Sequence, residues 1–310
     1  MARLAAQHYV GKVTKPKDFD EFWKDVLYQV SKIPLDQEVV HDPLRSSEDV
    51  DVYQVFYSSL DGVRIAGWYC LPKGKQDRLP AILQVPGYLA DPPIPKEWAR
   101  EGYAAYSAAP RGKIRSNRQF NPGYPGLLTH NIVDRNTYSY RGFYVDALRA
   151  VDFLLGRDEV DSERIGVTGG SQGGGLTITT AAIRPEVKAA VAGVPYLCAF
   201  MDAIKLTHTY PYEEINDYLR TYPERRQAVE DTLAYFDCVN FADKVHCPII
   251  VYIGLQDNVC PPETGYVLFK AIGSEGKKLY PYDGHGHDGG RYQYGGLIRE
   301  FFQKHLGTEE

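Results

Sequence analysis

Ser171 sits in Gly169-Gly170-Ser171-Gln172-Gly173, a G-x-S-x-G pattern. A serine hydroxyl is a weak nucleophile until a neighbouring base takes its proton, so the pattern matters only if its surroundings supply one. Its spacing has a steric origin. The serine occupies a sharp strand-to-helix turn, and the flanking glycines keep side chains out of a crowded backbone. The apolar run Ile165–Thr168 precedes it and a helical run, Leu176–Ile183, follows it, which is the required context. The competing reading is a phosphate loop. No Lys follows as a P-loop demands, and neither G-x-G-x-x-G nor an acid at the next strand end supports a dinucleotide.

Two further loops complete the chemistry. Asp257 ends Gly254-Leu255-Gln256-Asp257, just past the apolar run Ile249–Gly254 and ahead of Cys260-Pro261-Pro262. Taken alone it reads as a turn cap. The third loop is Tyr282-Asp283-Gly284-His285-Gly286-His287-Asp288, again just past a strand-like run. Serine, aspartate and histidine in that chain order, each at a strand end, is the order of α/β hydrolases. The histidine would act as base and then acid, and Asp257 would hold its tautomer and stabilise the imidazolium. Two backbone N–H groups must receive the oxyanion. Gln172, after the nucleophile, is one candidate. Tyr88, in Pro86-Gly87-Tyr88 after the run Ala81–Val85, is the other. Losing one such donor costs about 3–4 kcal/mol of transition-state stabilisation.

His285 and His287 compete for the base. Counting without a gap from Tyr280-Pro281 reaches His285, and reach to the serine is set by distance from the strand end. Two further residues carry a chain up to about 7 Å onward, so His285 is preferred and His287 is the alternative.

The elements that would hold these loops alternate. Phe19, Phe22, Trp23, Val26, Leu27, Val30 and Ile33 step by three and four, an apolar helix stripe, with Asp18 and Glu21 resembling a capping box. Tyr53, Val55 and Tyr57, then Val63, Ile65, Gly67, Tyr69 and Leu71, alternate on either side of Asp61-Gly62, a hairpin signal. Short buried runs follow at Ala81–Val85, Tyr103–Ser107, Ile165–Thr168, Val187–Ala192, Ile249–Gly254 and Lys278–Tyr282, with helical stretches such as Tyr144–Leu155 between them. Strands separated by helices mean parallel crossovers, so a doubly wound, mostly parallel α/β sheet of about eight strands is expected. Residues 196–245 carry no strand signal and read as a helical insertion over the sheet edge where ligands bind.

Composition excludes several classes. The chain has 310 residues, 44% hydrophobic and 24% charged, long enough to bury about 75% of its unfolded surface and read as one domain over 1–310. Net charge is −5, which argues against a nucleic-acid partner, since phosphate affinity needs a basic face. The longest apolar run, Ala189–Met201, contains Pro195 and falls short of the roughly 20 residues of a membrane span. Five scattered cysteines without C-x-x-C suggest neither disulfides nor a zinc site. Met1–Val10 lacks a secretory apolar core of about 7–15 residues, so no signal peptide and a cytoplasmic location are expected. No metal or other cofactor is implied.

The chain resembles the acetyl xylan esterase/cephalosporin C deacetylase family, carbohydrate esterase family seven. The resemblance rests on Lys17-Asp18-Phe19-Asp20-Glu21-Phe22-Trp23, Gly87-Tyr88, Tyr124-Pro125-Gly126, Tyr138-Ser139-Tyr140-Arg141, Asp146-Ala147-Leu148-Arg149-Ala150-Val151, the stretch through Gly169–Gly175, Tyr235-Phe236-Asp237, Gly254–Asp257 and Cys260-Pro261-Pro262. It implies an α/β-hydrolase fold, removal of acetyl groups from sugars and from cephalosporin C, and ring-like homohexamers inside the cell. It also implies a triad of Ser171, Asp257 and the loop histidine, with Tyr88 and Gln172 as oxyanion donors. Two departures stand out. The family's Arg-Gly-Gln-Gly is Arg111-Gly112-Lys113-Ile114 here, and its His-Glu pair is matched by His287-Asp288.

The loop after Arg111 carries Arg111, Lys113, Arg115 and Arg118. It reads as a solvated face in preference to a site for an anionic substrate. Of the 24 tyrosines, Tyr196, Tyr210, Tyr212 and Tyr218 fall in the insertion, where core and interface packing is the commoner use than a sugar platform. The expected function is a serine carboxylesterase acting on short acyl, chiefly acetyl, esters of carbohydrates or related small esters. The alternatives are a broad esterase or peptidase on the same triad, and a non-catalytic binding protein of the same fold.

Overall fold

A computed structural model describes residues 6–75 and 77–307; residues 1–5, part of the stretch read for a leader, lie outside them. Nine strands form one sheet in the order β1-β2-β3-β5-β4-β6-β7-β8-β9. They are β1 (Glu38–His41), β2 (Val50–Ser58), β3 (Arg64–Pro72), β4 (Leu79–Val85), β5 (Ala104–Ala109), β6 (Val160–Gly170), β7 (Val187–Gly193), β8 (Ile249–Gly254) and β9 (Lys277–Tyr282). The β2–β3 hairpin pairs Tyr53 with Tyr69 and Val55 with Gly67, and β3 joins β5 antiparallel. From β5 through β4, β6, β7 and β8 to β9 every pairing is parallel. Parallel strands need crossovers, and helices over both faces bury them.

The pleat divides the core. Ala81, Leu83 and Val85 of β4 and Ala190 and Ala192 of β7 face one side, under the helices Ser139–Leu155 and Gln172–Ile183. Ile82, Ala189, Val191 and Ile250 face the other, against Phe302 and Leu306 of the helix Arg291–Leu306.

Differences from the sequence reading have local causes. β1 carries no signal in the sequence: its four residues, Glu38-Val39-Val40-His41, are mostly exposed, so the edge shows no apolar alternation. The helix expected from Tyr144 begins at Ser139. Asp18 does precede the helix Phe19–Ser31, yet its side chain makes no cap. Its carboxylate accepts instead from the Tyr235 hydroxyl and from Arg135 Nη1 at 3.0 Å, partners more than a hundred residues away.

Residues 196–245 are helical, comprising Phe200–Leu206, Glu213–Thr221, Arg226–Ala234 and Val239–Ala242. They are bound to the body by aromatic packing and hydrogen bonds. Trp23 Nε1 donates to Tyr235 O at 2.9 Å, and the Tyr144 hydroxyl donates to Phe236 O at 2.5 Å. Tyr196 and Tyr212 are buried edge to face, centroids 4.4 Å apart. Those two tyrosines are packing residues, while Tyr210 stands 39% exposed.

Candidate active site

β6 runs to Gly170 and the next helix starts at Gln172, leaving Ser171 alone in the turn. Its φ of 57° and ψ of −120° are strained for a residue with a side chain, a cost of about 1–3 kcal/mol that persists only where the surroundings overdetermine it. They do so here. Ser171 N donates to Gly193 O at 2.9 Å, and Ser171 O accepts from Gly175 N at 3.2 Å and Tyr196 N at 3.0 Å. The motif glycines are needed for space. A Cβ on Gly173 would lie 2.2 Å from Val85 O, and one on Gly169 would lie 2.7 Å from Gly173 Cα.

Asp257 lies past β8, 5% exposed. Its Oδ1 accepts from Val259 N at 2.8 Å and Cys260 N at 2.9 Å. Its Oδ2 lies 2.8 Å from His287 Nδ1. The His, Cys and Asp donor atoms of His287, Cys260 and Asp257 lie within 4.8 Å of one another, and the Ser171 side chain stands near the Cys260 thiol. Ser171 thus stands next to the Asp257–His287 pair. Both Asp257 oxygens are engaged, one by two backbone N–H groups and the other by the His287 ring.

The structure pairs Asp257 with His287, the alternative, and engages His285, the preferred candidate, elsewhere. His285 Nδ1 lies 2.6 Å from Asp288 Oδ2, and its Nε2 lies 3.1 Å from Gln293 Nε2. Both ring nitrogens are occupied away from Asp257. The cause is in the backbone. His285 O accepts from Gln256 N at 2.9 Å, which pins that residue to the end of β8. Gly284, ahead of both histidines, takes positive φ, so the path to His287 is turned and not extended.

The Tyr88 loop reaches the elbow: a Cβ on Gly87 would lie 4.0 Å from Ser171 Cβ. Gln172 opens its helix, so its N–H has no partner within that helix, and its side chain accepts from the Tyr140 hydroxyl at 2.8 Å. The Tyr88 hydroxyl donates to Glu214 Oε1 at 2.7 Å and accepts from Leu128 N at 3.0 Å. Burial pushes the Glu214 carboxyl up, against the hydrogen bonds from Tyr88, Gly126 and Leu128. Glu214 thereby ties the insertion to the Tyr88 loop. Sequence reasoning missed it and Cys260; only its place in the insertion and the nearness of Cys260 to Asp257 pointed to them.

Arg111 and Lys113 depart from the expected solvated face, and neither points to an external anion: they are 3% and 4% exposed. Arg111 Nε and Nη2 grip Asp146 at 2.9 and 3.0 Å, with a third bond from Arg111 N to the same carboxylate. A Cβ on Gly142 would lie 2.1 Å from this guanidinium, which explains a glycine inside that helix. Lys113 Nζ donates to Gly87 O at 2.6 Å and to Tyr88 O. Arg115 stacks on Trp68, its guanidinium carbon 3.8 Å from the ring centroid, and Arg118 is exposed. A cavity of about 900 Å³ lies elsewhere, between Lys12–Thr14, Val133–Asn136 and the insertion helices, and contains none of Ser171, Asp257 or His287. Among the described residues no helix is long and apolar enough to cross a membrane.

Comparison with known proteins agrees with this architecture. The family described as acetyl xylan esterase (AXE1) matches residues 3–305. Acetyl esterase Axe7A of Xylanibacter ruminicola is 30% identical over 275 residues, 83% of this chain; the match spans only 60% of that longer protein. An acetyl xylan esterase from Paenibacillus sp. R4 superposes with a TM-score of 0.92 at 34% identity, covering 99% of this chain and all of that one. Acetyl xylan esterase 1 from Thermoanaerobacterium sp. JW/SL YS485 gives 0.88 at 26% identity, covering 98% of each. With a mostly parallel sheet, a serine elbow and an Asp–His pair at its strand ends, the chain belongs to the acetyl xylan esterase family, hydrolases of carboxylic esters built on the α/β-hydrolase fold.

Proposed function

We propose that the protein is a serine carboxylesterase that removes acetyl groups from acetylated carbohydrates or related small esters through an acyl-enzyme. The observation that carries this is Ser171 strained on its elbow beside the Asp257–His287 pair. His287, its Nδ1 held by Asp257, takes the Ser171 proton as Oγ attacks the ester carbonyl. The oxyanion accepts from the N–H groups of Tyr88 and Gln172. The imidazolium then gives its proton to the departing sugar alkoxide. Water, deprotonated by the same imidazole, attacks the acyl-serine; the acyl–Oγ bond breaks, the imidazolium returns its proton to Ser171 Oγ, and acetate leaves.

Short acyl chains should be preferred. The Tyr88 ring packs against Tyr124 and Tyr196, centroids 5.3 and 6.1 Å away, on the loop proposed to carry the oxyanion donor, and each methylene rejected is worth about 1–3 kcal/mol. In a panel of p-nitrophenyl acetate, butyrate and octanoate with an acetylated xylo-oligosaccharide, kcat/KM should fall from acetate to octanoate. Faster turnover of octanoate would favour the broad-esterase alternative.

The same reading assigns the chain to a homo-oligomer, a hexamer by resemblance, in the cytoplasm. Its five cysteines are unpaired and four are buried, as suits a reducing compartment. Light scattering at micromolar concentration should give a mass several times the 34.9 kDa of one chain; a single 35 kDa species would rule the oligomer out.

A further inference from the structure

We infer that Lys113 is a positioning residue of the oxyanion hole, holding and polarising the peptide unit that offers the Tyr88 N–H. The inference rests on the proposed role of that N–H. The carbonyl of Gly87 and the amide of Tyr88 belong to one planar peptide group. Lys113 Nζ donates to Gly87 O at 2.6 Å and also to Tyr88 O, the carbonyl of the next peptide. A cation on the carbonyl of a peptide draws electron density from its nitrogen and makes its N–H a stronger donor, and chains of hydrogen bonds reinforce one another. Two anchors on adjacent carbonyls also set the plane of the peptide, and with it the aim of the N–H. Preorganised donors of this kind are the larger part of oxyanion stabilisation.

Beyond these two carbonyls the buried ammonium has no hydrogen-bond partner among the described contacts. No acceptor side chain bonds it, and its carbonyl partners come from a loop 25 and 26 residues earlier. That loop follows β4, next to the loop after β5 that carries Lys113, so the sheet order brings the two together. The surrounding charges are few. Asp91, on the Tyr88 loop, attracts both Lys113 and Arg115. Arg111 is committed to Asp146, and Glu214 faces the loop from the insertion through the Tyr88 hydroxyl.

Burial pushes the Lys113 ammonium down to about 8, with Asp91 acting in the opposite sense. The charged form therefore dominates below about pH 8, and kcat should decline as pH rises through that value. This gives a readout that a purely structural role would not move.

The test compares Lys113→Met, Lys113→Gln and Lys113→Arg on p-nitrophenyl acetate, alongside Tyr88→Pro, which deletes the amide donor itself. Lys113→Met should lose about 10–100-fold in kcat with KM within about threefold, a part of the 10²–10³ expected for a whole donor. Its affinity for an alkyl trifluoromethyl ketone, which forms the oxyanion on Ser171, should fall by the same factor. Lys113→Gln keeps a donor without charge and should lose less, with no limb near pH 8. Lys113→Arg, charged throughout, should recover activity and also lack that limb. If Lys113→Met folds poorly, the pH profiles of the Gln and Arg variants still decide the matter. Full kcat in Lys113→Met and Lys113→Gln, with Tyr88→Pro inactive, would overturn the role of Lys113 and leave the Tyr88 reading standing. Full kcat in a folded Tyr88→Pro would overturn both.

Discussion

Ser171→Ala should abolish esterase activity while leaving the fold and melting temperature close to those of the parent. The serine hydroxyl makes no backbone cap on the following helix, and Ser171 is held in place by its main chain, which alanine keeps. The chemistry is another matter. Without Oγ no acyl-enzyme forms, and what remains is the roughly 10³–10⁴-fold advantage over water that an oxyanion hole and binding supply alone. Loss of about 10⁴–10⁶ in kcat is the scale seen when members of such a triad are removed. Steady-state kinetics on p-nitrophenyl acetate, with circular dichroism as the folding control, gives the answer. A folded mutant that keeps a tenth of the parental kcat would remove Ser171 from the mechanism.

The two loop histidines should separate by orders of magnitude. His287→Ala should lose nearly as much kcat as Ser171→Ala, because triad members act as a unit. His285→Ala should lose tenfold or less, at the lower end of the roughly 10–100-fold range for a supporting residue. His285 is bound to Asp288 and Gln293 on opposite ring nitrogens, and its loss would loosen the loop without removing a base. The pair assayed side by side under identical conditions decides between them. If His285→Ala were the dead variant and His287→Ala the active one, the Asp257–His287 contact would not be the working pair.

The doubly wound sheet was legible because its central strands are covered on both faces. Such strands read as short unbroken apolar runs, as in Ile249–Gly254, which the structure reproduces residue for residue. Edge β1 was silent for the opposite reason: exposed residues carry no burial pattern. At the site, Ser171 was marked by glycines that its crowded turn demands, a local signal. The choice between His285 and His287 depended on a loop that turns at positive-φ Gly284 and is pinned at His285 O by Gln256 N, and residue counting assumes an extended path. The basic loop misled most. Arg111 and Lys113 look like surface charge until Asp146, 35 residues on, and Gly87, 26 residues back, arrive beside them. Long-range pairing of that kind leaves no periodicity in the chain.

The central claim is that Ser171 is the nucleophile of a covalent mechanism with His287 as its base. Its most direct measurement is labelling of the folded wild-type protein with a fluorophosphonate, followed by intact mass and peptide mapping. The account predicts one adduct per chain, on Ser171, formed far more slowly in His287→Ala and at the parental rate within tenfold in His285→Ala. An unlabelled protein, or an adduct carried by another residue, would contradict it.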